Sequence, residues 1–327
     1  MLHLVRNNSP YTVIILFIFT LVAKLQALSA PVAPLVPANH EFFHAVVSVL
    51  DVVLRGSAFG YTLLGAIMLF GQAIYLNSVC IRYKLLTKPT YLIAYMYIVL
   101  TSVLPAFTYF GEVMLVNWCI IGCLDFILRL PHTSQPRIHI FNAAFLASMA
   151  AVLHFQAVAF IILLFAAIVF LRPFNIGEWM VAIVGYITPL YLYAGVLFLF
   201  DKEMALLHWP EYGWSLPGHL NAPLYIIGTL IGILTLTISG IFVLQSFVSK
   251  GSIYTRRIWS SIAVFLLMAV AVSLITDISE KNAWLMVMIP LSIIIAPALS
   301  VEKTKSFSNF AFYFSLVLLI FCQLTFK

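Results

Sequence analysis

Apolar residues fill this chain in long continuous blocks separated by short polar groups, with no sustained alternation and few single-sided helical patterns. A helix needs roughly 20 consecutive apolar residues to cross a bilayer core. Eleven blocks are candidates: 10–28, 57–79, 90–109, 113–129, 138–153, 156–171, 178–200, 222–247, 258–275, 283–299 and 307–326. The fourth, fifth and sixth are short. The fifth and sixth meet at Leu153-His154-Phe155-Gln156, so this pair also fits a re-entrant hairpin.

The segment 29–56 has a different pattern. Pro31, Pro34 and Pro37 hold its first part extended. In 41–55 the polar residues Glu41, His44, Ser48, Asp51 and Arg55 then recur every three or four positions, which places them on one helical stripe. Phe42, Phe43, Val46, Val47, Leu50, Val53 and Leu54 cover the rest. The expectation is an amphipathic helix lying along the membrane interface.

Composition makes the membrane assignment firm. Of the 327 residues, 63% are hydrophobic and 9% charged, with a mean hydropathy of +1.09; soluble domains are about a quarter charged. Backbone groups in hydrocarbon need internal partners, which leaves helices or a closed barrel. Barrel strands would be short and alternating. The expected fold is therefore an all-α polytopic bundle of about eleven spans. With no linker, low-complexity stretch or evident repeat, residues 1–327 read as a single integral membrane domain.

Charge gives the orientation. With the N-terminus inside, the inner segments hold Arg6, Arg82, Lys84, Lys88, Arg129, Arg137, Arg172, Lys250, Arg256, Arg257, Lys303 and Lys305. The outer segments hold only Arg55, Lys202, Lys281 and Lys327. That asymmetry is the positive-inside bias expected of a multi-pass membrane protein with its N-terminus inside and its C-terminus outside. Arg6 ahead of 11–23 fits an uncleaved signal anchor better than a cleaved signal, although Ala27 and Ser29 allow a weak cleavage site. The net charge of +6 is dispersed in short groups, which argues against nucleic acid as a partner. Cys80, Cys119, Cys123 and Cys322 are too scattered for a disulfide framework.

At Phe170-Leu171-Arg172-Pro173-Phe174-Asn175, followed by Glu178-Trp179, the chain resembles an uncharacterised family of Bacteroidota polytopic inner-membrane proteins, a domain of unknown function. The resemblance runs from about Tyr75 to Lys202 and includes Leu76-Asn77, Lys84-Leu85-Leu86 and Phe141-Asn142. It implies location and fold type without an activity. The motif also has a structural explanation: Pro173 ends one helix, and Asn175 with Glu178 forms a starting box for the next.

Eight acidic residues (Glu41, Asp51, Glu112, Asp201, Glu203, Glu211, Asp277 and Glu280) fall on the expected outer side. Insertion does not require that bias, so the outer side is where chemistry is expected. One expectation is that the 41–55 stripe merely meets water, with Asp51 and Arg55 as an i,i+4 pair. The other is a catalytic outer loop. The layout is loosely similar to that of GT-C membrane glycosyltransferases, which use polyprenyl-phosphate sugars and carry a carboxylate on a large first outer loop. The similarity implies membrane lipid and a polyprenyl-phosphate-linked sugar as partners, with Asp51 or Glu41 as base beside His44. Arg55 or Lys24 would contact phosphate. No acidic pair directly follows the first helix, a departure from that pattern.

Lys24 alternatively snorkels to the interface. His154 is either a substrate contact or a polar turn residue, and Glu112 is expected to be solvated. Trp209, in the loop 201–219 with Tyr212 and Trp214, either stacks on sugar or belongs to the interfacial belt. Asp125 should pair with Arg129 one turn away. His40 and His44 have a spacing that suits a metal, but the other histidines are isolated, so no metal or other cofactor is expected. A lipid or small-solute transporter and a non-catalytic assembly subunit remain the alternatives to an enzyme.

Overall fold

The computed structural model describes residues 5–6, 9–36, 40–202, 204, 223–276, 281–301 and 305–325. Among them there are thirteen α-helices and no strand. In chain order these are α1 (Pro10–Ala23), α2 (Leu25–Ser29), α3 (Glu41–Leu54), α4 (Ala58–Arg82), α5 (Leu92–Thr101), α6 (Glu112–Arg129) and α7 (Pro136–Leu153). They continue with α8 (Phe160–Leu171), α9 (Ile176–Leu199), α10 (Pro223–Lys250), α11 (Ile253–Ile275), α12 (Met288–Ser300) and α13 (Lys305–Thr325). Short 3-10 turns occupy Pro105–Thr108, Leu130–His132, Phe155–Ala159 and Lys281–Val287.

Each of the eleven expected apolar blocks contains a helix. Eight described helices are long and apolar enough to cross a membrane, and three apolar helices are shorter: Pro10–Ala23, Leu92–Thr101 and Phe155–Leu171. This is the architecture of a multi-pass membrane protein. The third block, expected over 90–109, stops being α-helical at Thr101. A residue before proline is disfavoured in the α region, and Leu104, ahead of Pro105, is extended (φ −116°, ψ 129°). Pro189, by contrast, sits inside α9 without ending it.

Burial sorts the bundle into a centre and a rim. Every residue of α5 is buried, as is α12 from Met288 to Leu299. These two helices pack on each other, with α4 against α5 and α10 against α12. Helix α7 lies between α6 and α9, and its buried Ala143, Ala144, Ala147, Ala150 and Ala151 permit close approach. Gly185 of α9 completes that contact, since a Cβ there would stand 2.8 Å from the Phe141 carbonyl oxygen. Small residues at helix crossings are the usual means of tight packing where lipid removes the hydrophobic drive. The rim keeps its apolar side chains outward: Tyr191, Leu199 and Phe242 are each at least 70% exposed. That exposure is what lipid-facing surface requires.

Several polar groups inside the bundle bind one another across helices. The Gln72 amide donates to the Met114 carbonyl (2.7 Å) and accepts from the Tyr97 hydroxyl (2.7 Å). Asn117 donates to Tyr97 (3.3 Å) and to the Leu285 carbonyl (3.2 Å). This network pins α4, α5 and α6 to the turn before α12.

Candidate functional site

Helix α6 carries a carboxylate near each end, and the two ends of the bundle can be named by them. At the Glu112 end, the chain leaving α2 passes through 31–36 without regular structure and returns as α3. Helix α3 is docked on the protein. Phe43 and Val47, one turn apart, are buried; Phe43 stacks on Phe110 (5.9 Å), and the Tyr61 hydroxyl donates to the Val47 carbonyl (3.2 Å). Val49, Val52 and Val53 point outward and are 69–81% exposed. The helix stops where Arg55 adopts the left-handed conformation (φ 50°) ahead of Gly56 (φ 68°).

The polar stripe meets more than bulk water. Between α3 and the segment 31–36 lies a cavity of about 400 Å³, lined by Pro34, Val36, His44, Ser48, Asp51 and Tyr61 among others. Tyr61 donates its hydroxyl to Asp51 Oδ1 at 2.6 Å, which fixes that carboxylate at the cavity wall. Of the expected site residues, Asp51 and His44 are therefore brought together. Glu41 is not with them: it pairs with Lys202 at 2.7 Å, near the end of α9. Arg55 makes no ion pair with Asp51, because the left-handed turn carries it off the helical stripe. Trp209 lies outside the described residues, as do Glu203, His208, Glu211, His219, Asp277 and Glu280.

Two expectations are corrected. Lys24 does not snorkel: it is 1% exposed, and its ammonium donates to the Thr101 carbonyl (3.2 Å) and the Thr108 hydroxyl (3.3 Å). It does not line the cavity. Glu112 is not solvated: it is buried and bound to His154, which sits at the turn after α7 as expected and is itself buried.

Glu112 opens α6, where the helix dipole favours a negative charge. Its Oε1 meets His154 Nδ1 at 2.6 Å, and its Oε2 meets Nδ1 of His40, the residue that caps α3. His154 Nε2 lies 3.4 Å from the Thr276 hydroxyl, which itself donates to the Val272 carbonyl. An ionised carboxylate only accepts, so both ring nitrogens of His154 face acceptors. One carboxylate thus joins α3, α6, the α7–α8 junction and the end of α11.

Sequence reasoning passed over His40 and Glu112 as partners. The available signal was an acid in a three-residue break between apolar blocks with no cation nearby in sequence. The partners lie 72 and 42 positions away. Among the described residues no three His, Cys, Asp or Glu side chains form a group that could hold a metal ion.

The Asp125 end is built differently. Asp125 accepts from Arg129 (2.7 Å), Arg82 (3.0 Å) and the Tyr83 hydroxyl (3.0 Å), so the expected Asp125–Arg129 pair is present within a larger cluster. In the Arg-Pro-Phe-Asn element, Asn175 caps α9 by accepting from the Gly177 amide (2.9 Å). Glu178 does not reach back to the cap; it binds Arg172 at 3.0 Å.

No protein-family model, curated protein or solved structure matches the chain. The functional case therefore rests on the geometry of the Glu112 end.

Proposed function

We propose that the chain is an inner-membrane protein of about eleven spans with a cytoplasmic N-terminus, whose Glu112 end faces outward and carries a transfer site for envelope glycan or lipid biogenesis. The observation that carries this is the α3 cavity, where a carboxylate oriented by Tyr61 stands beside His44. Its volume of about 400 Å³ is within the usual range of small-molecule sites, and its position on an interfacial helix suits a donor held in lipid.

The donor is a polyprenyl-phosphate-linked sugar. In the step, an acceptor hydroxyl oxygen bonds to the anomeric carbon while the bond from that carbon to the phosphate oxygen breaks. Asp51 takes the hydroxyl proton as general base, and the phosphate leaves with the bonding electron pair. Tyr61 positions Asp51. His44 lines the cavity one helical stripe away, and Arg55, exposed at the end of α3, supplies positive charge for the departing phosphate.

The test is complementation of a loss-of-function strain by Asp51→Asn, with membrane abundance measured alongside. Loss of complementation at wild-type abundance is expected, and full complementation would remove the catalytic role.

One observation favours a second function. Buried ionisable groups in a membrane bundle often mark proton or ion pathways, and the His40–Glu112–His154 cluster is such a group. A proton-linked transporter of lipid or small solute would show flux in proteoliposomes that Glu112→Gln abolishes and Asp51→Asn spares.

A further inference from the structure

At the Asp125 end of the bundle, we infer a binding site for the phosphate headgroup of an anionic phospholipid, formed by Arg6, Lys88 and Thr90. A cavity of about 450 Å³ opens there between the start of the chain, the α4–α5 connection and the ends of α10 and α12. It is separate from the α3 cavity and has no part in the transfer step.

Three features make it a phosphate site. Arg6 is held rigidly, with Nη2 donating to the Leu299 carbonyl (2.7 Å), the Val301 carbonyl (3.0 Å) and the Ser308 hydroxyl (2.7 Å). Its Nε adds a bond to Leu299 (3.2 Å), and Nη1 has no hydrogen bond among the described residues. Lys88 lines the same cavity and supplies a second cation. Thr90 is 5% exposed, lines the cavity, and its buried hydroxyl has no hydrogen-bond partner. A buried hydroxyl without a partner is costly and calls for a ligand or water, and Thr90 lines the same cavity as the two cationic residues.

A lipid is favoured over free phosphate by the opposite wall. Val243 and Phe247, one turn apart on α10, line the cavity with apolar surface. Next to them, Ile238, Ile241 and Phe242 are 48–73% exposed, so the wall continues onto the lipid-facing side of α10. A headgroup at Arg6 and Lys88 can thus keep its acyl chains on α10 while the phosphate takes the Thr90 hydroxyl. Basic pockets between helices are a recurrent way of holding anionic lipid.

The test uses the full chain, purified and delipidated in mild detergent, and native mass spectrometry with phosphatidylglycerol or phosphatidylcholine at equal concentration. One phosphatidylglycerol should be retained in preference to phosphatidylcholine. Lys88→Gln should weaken that retention about fivefold, the effect of one cation near a lipid headgroup. Thr90→Val, which keeps the side-chain shape, should weaken it further without lowering the melting temperature of the lipid-free protein. Equal retention of the two lipids, or wild-type retention by a variant carrying both Lys88→Gln and Thr90→Val, would overturn the site. Displacement of phosphatidylglycerol by millimolar inorganic phosphate would overturn its assignment to lipid.

Discussion

Glu112 and Asp125 stand on the same helix, roughly 20 Å apart along its axis, and the bundle treats them in opposite ways. Asp125 is surrounded by guanidinium groups that keep their charge at any physiological pH. Its partners Arg82 and Arg129 are 48% and 36% exposed, so the cluster lies at a surface. Glu112 is bound by two imidazoles, exposed by 8% and 1%, and every member of its cluster is out of solvent. Imidazole is the side chain whose charge ordinarily changes between pH 5 and 8. One end of α6 is thus a permanent electrostatic anchor of the kind that fixes a helix end at a basic membrane face. The other is a buried joint between four elements, next to a helix whose polar stripe borders a cavity. The lesson is that a carboxylate's partners, more than its position in a span, separate anchoring from chemistry.

The largest expected effect breaks that contrast directly. Glu112→Ala strands two buried imidazoles and should cost about 3–5 kcal/mol of stability, read as thermal denaturation in detergent. Asp125→Ala releases arginines that reach water, and should cost only about 1 kcal/mol. Equal losses at the two sites would erase the distinction. A sharper version is a pair of double-mutant cycles, in which Glu112 with His154 should couple by more than about 1.5 kcal/mol and Asp125 with Arg129 by less than about 1 kcal/mol.

Salt should then separate the two without further mutation. Going from 0.1 to 1 M shortens the screening length from about 10 to about 3 Å. The cost of Asp125→Ala should fall accordingly, while that of Glu112→Ala should not change. The smallest effect is expected at Thr276→Val. Its hydroxyl meets His154 at 3.4 Å, outside the range of a good hydrogen bond, so stability should move by less than about 0.5 kcal/mol.

The sequence made the all-helical bundle legible because long apolar blocks ended by arginines and lysines leave little choice of element. The fourth and seventh spans, expected at 113–129 and 178–200, correspond to Glu112–Arg129 and Ile176–Leu199. The third was overextended, since hydropathy continues through Pro105 while the α-helix does not. The helix at 41–55 was legible from its period, and so was the grouping of His44 with Asp51. Which apolar side of it docks on the bundle was not, because Val47 and Val49 look alike in a sequence and only Phe110 and Tyr61 decide between them. The Glu112 cluster was the least legible element. Each member reads alone as a polar residue in a separate loop or turn, and their meeting depends on how α3, α6 and α7 converge.

The outward direction of the Glu112 end underlies the whole functional proposal, and cysteine accessibility tests it most directly. The native cysteines give a low background, three being buried and Cys119 largely so. Ser48→Cys, at the α3 cavity, and Lys84→Cys, beyond α4, are both exposed positions at opposite ends of the bundle. In intact spheroplasts a membrane-impermeant maleimide should label Ser48→Cys and reach Lys84→Cys only after lysis. Labelling of Lys84→Cys with protection of Ser48→Cys would contradict the orientation and remove the transfer site from the outer face.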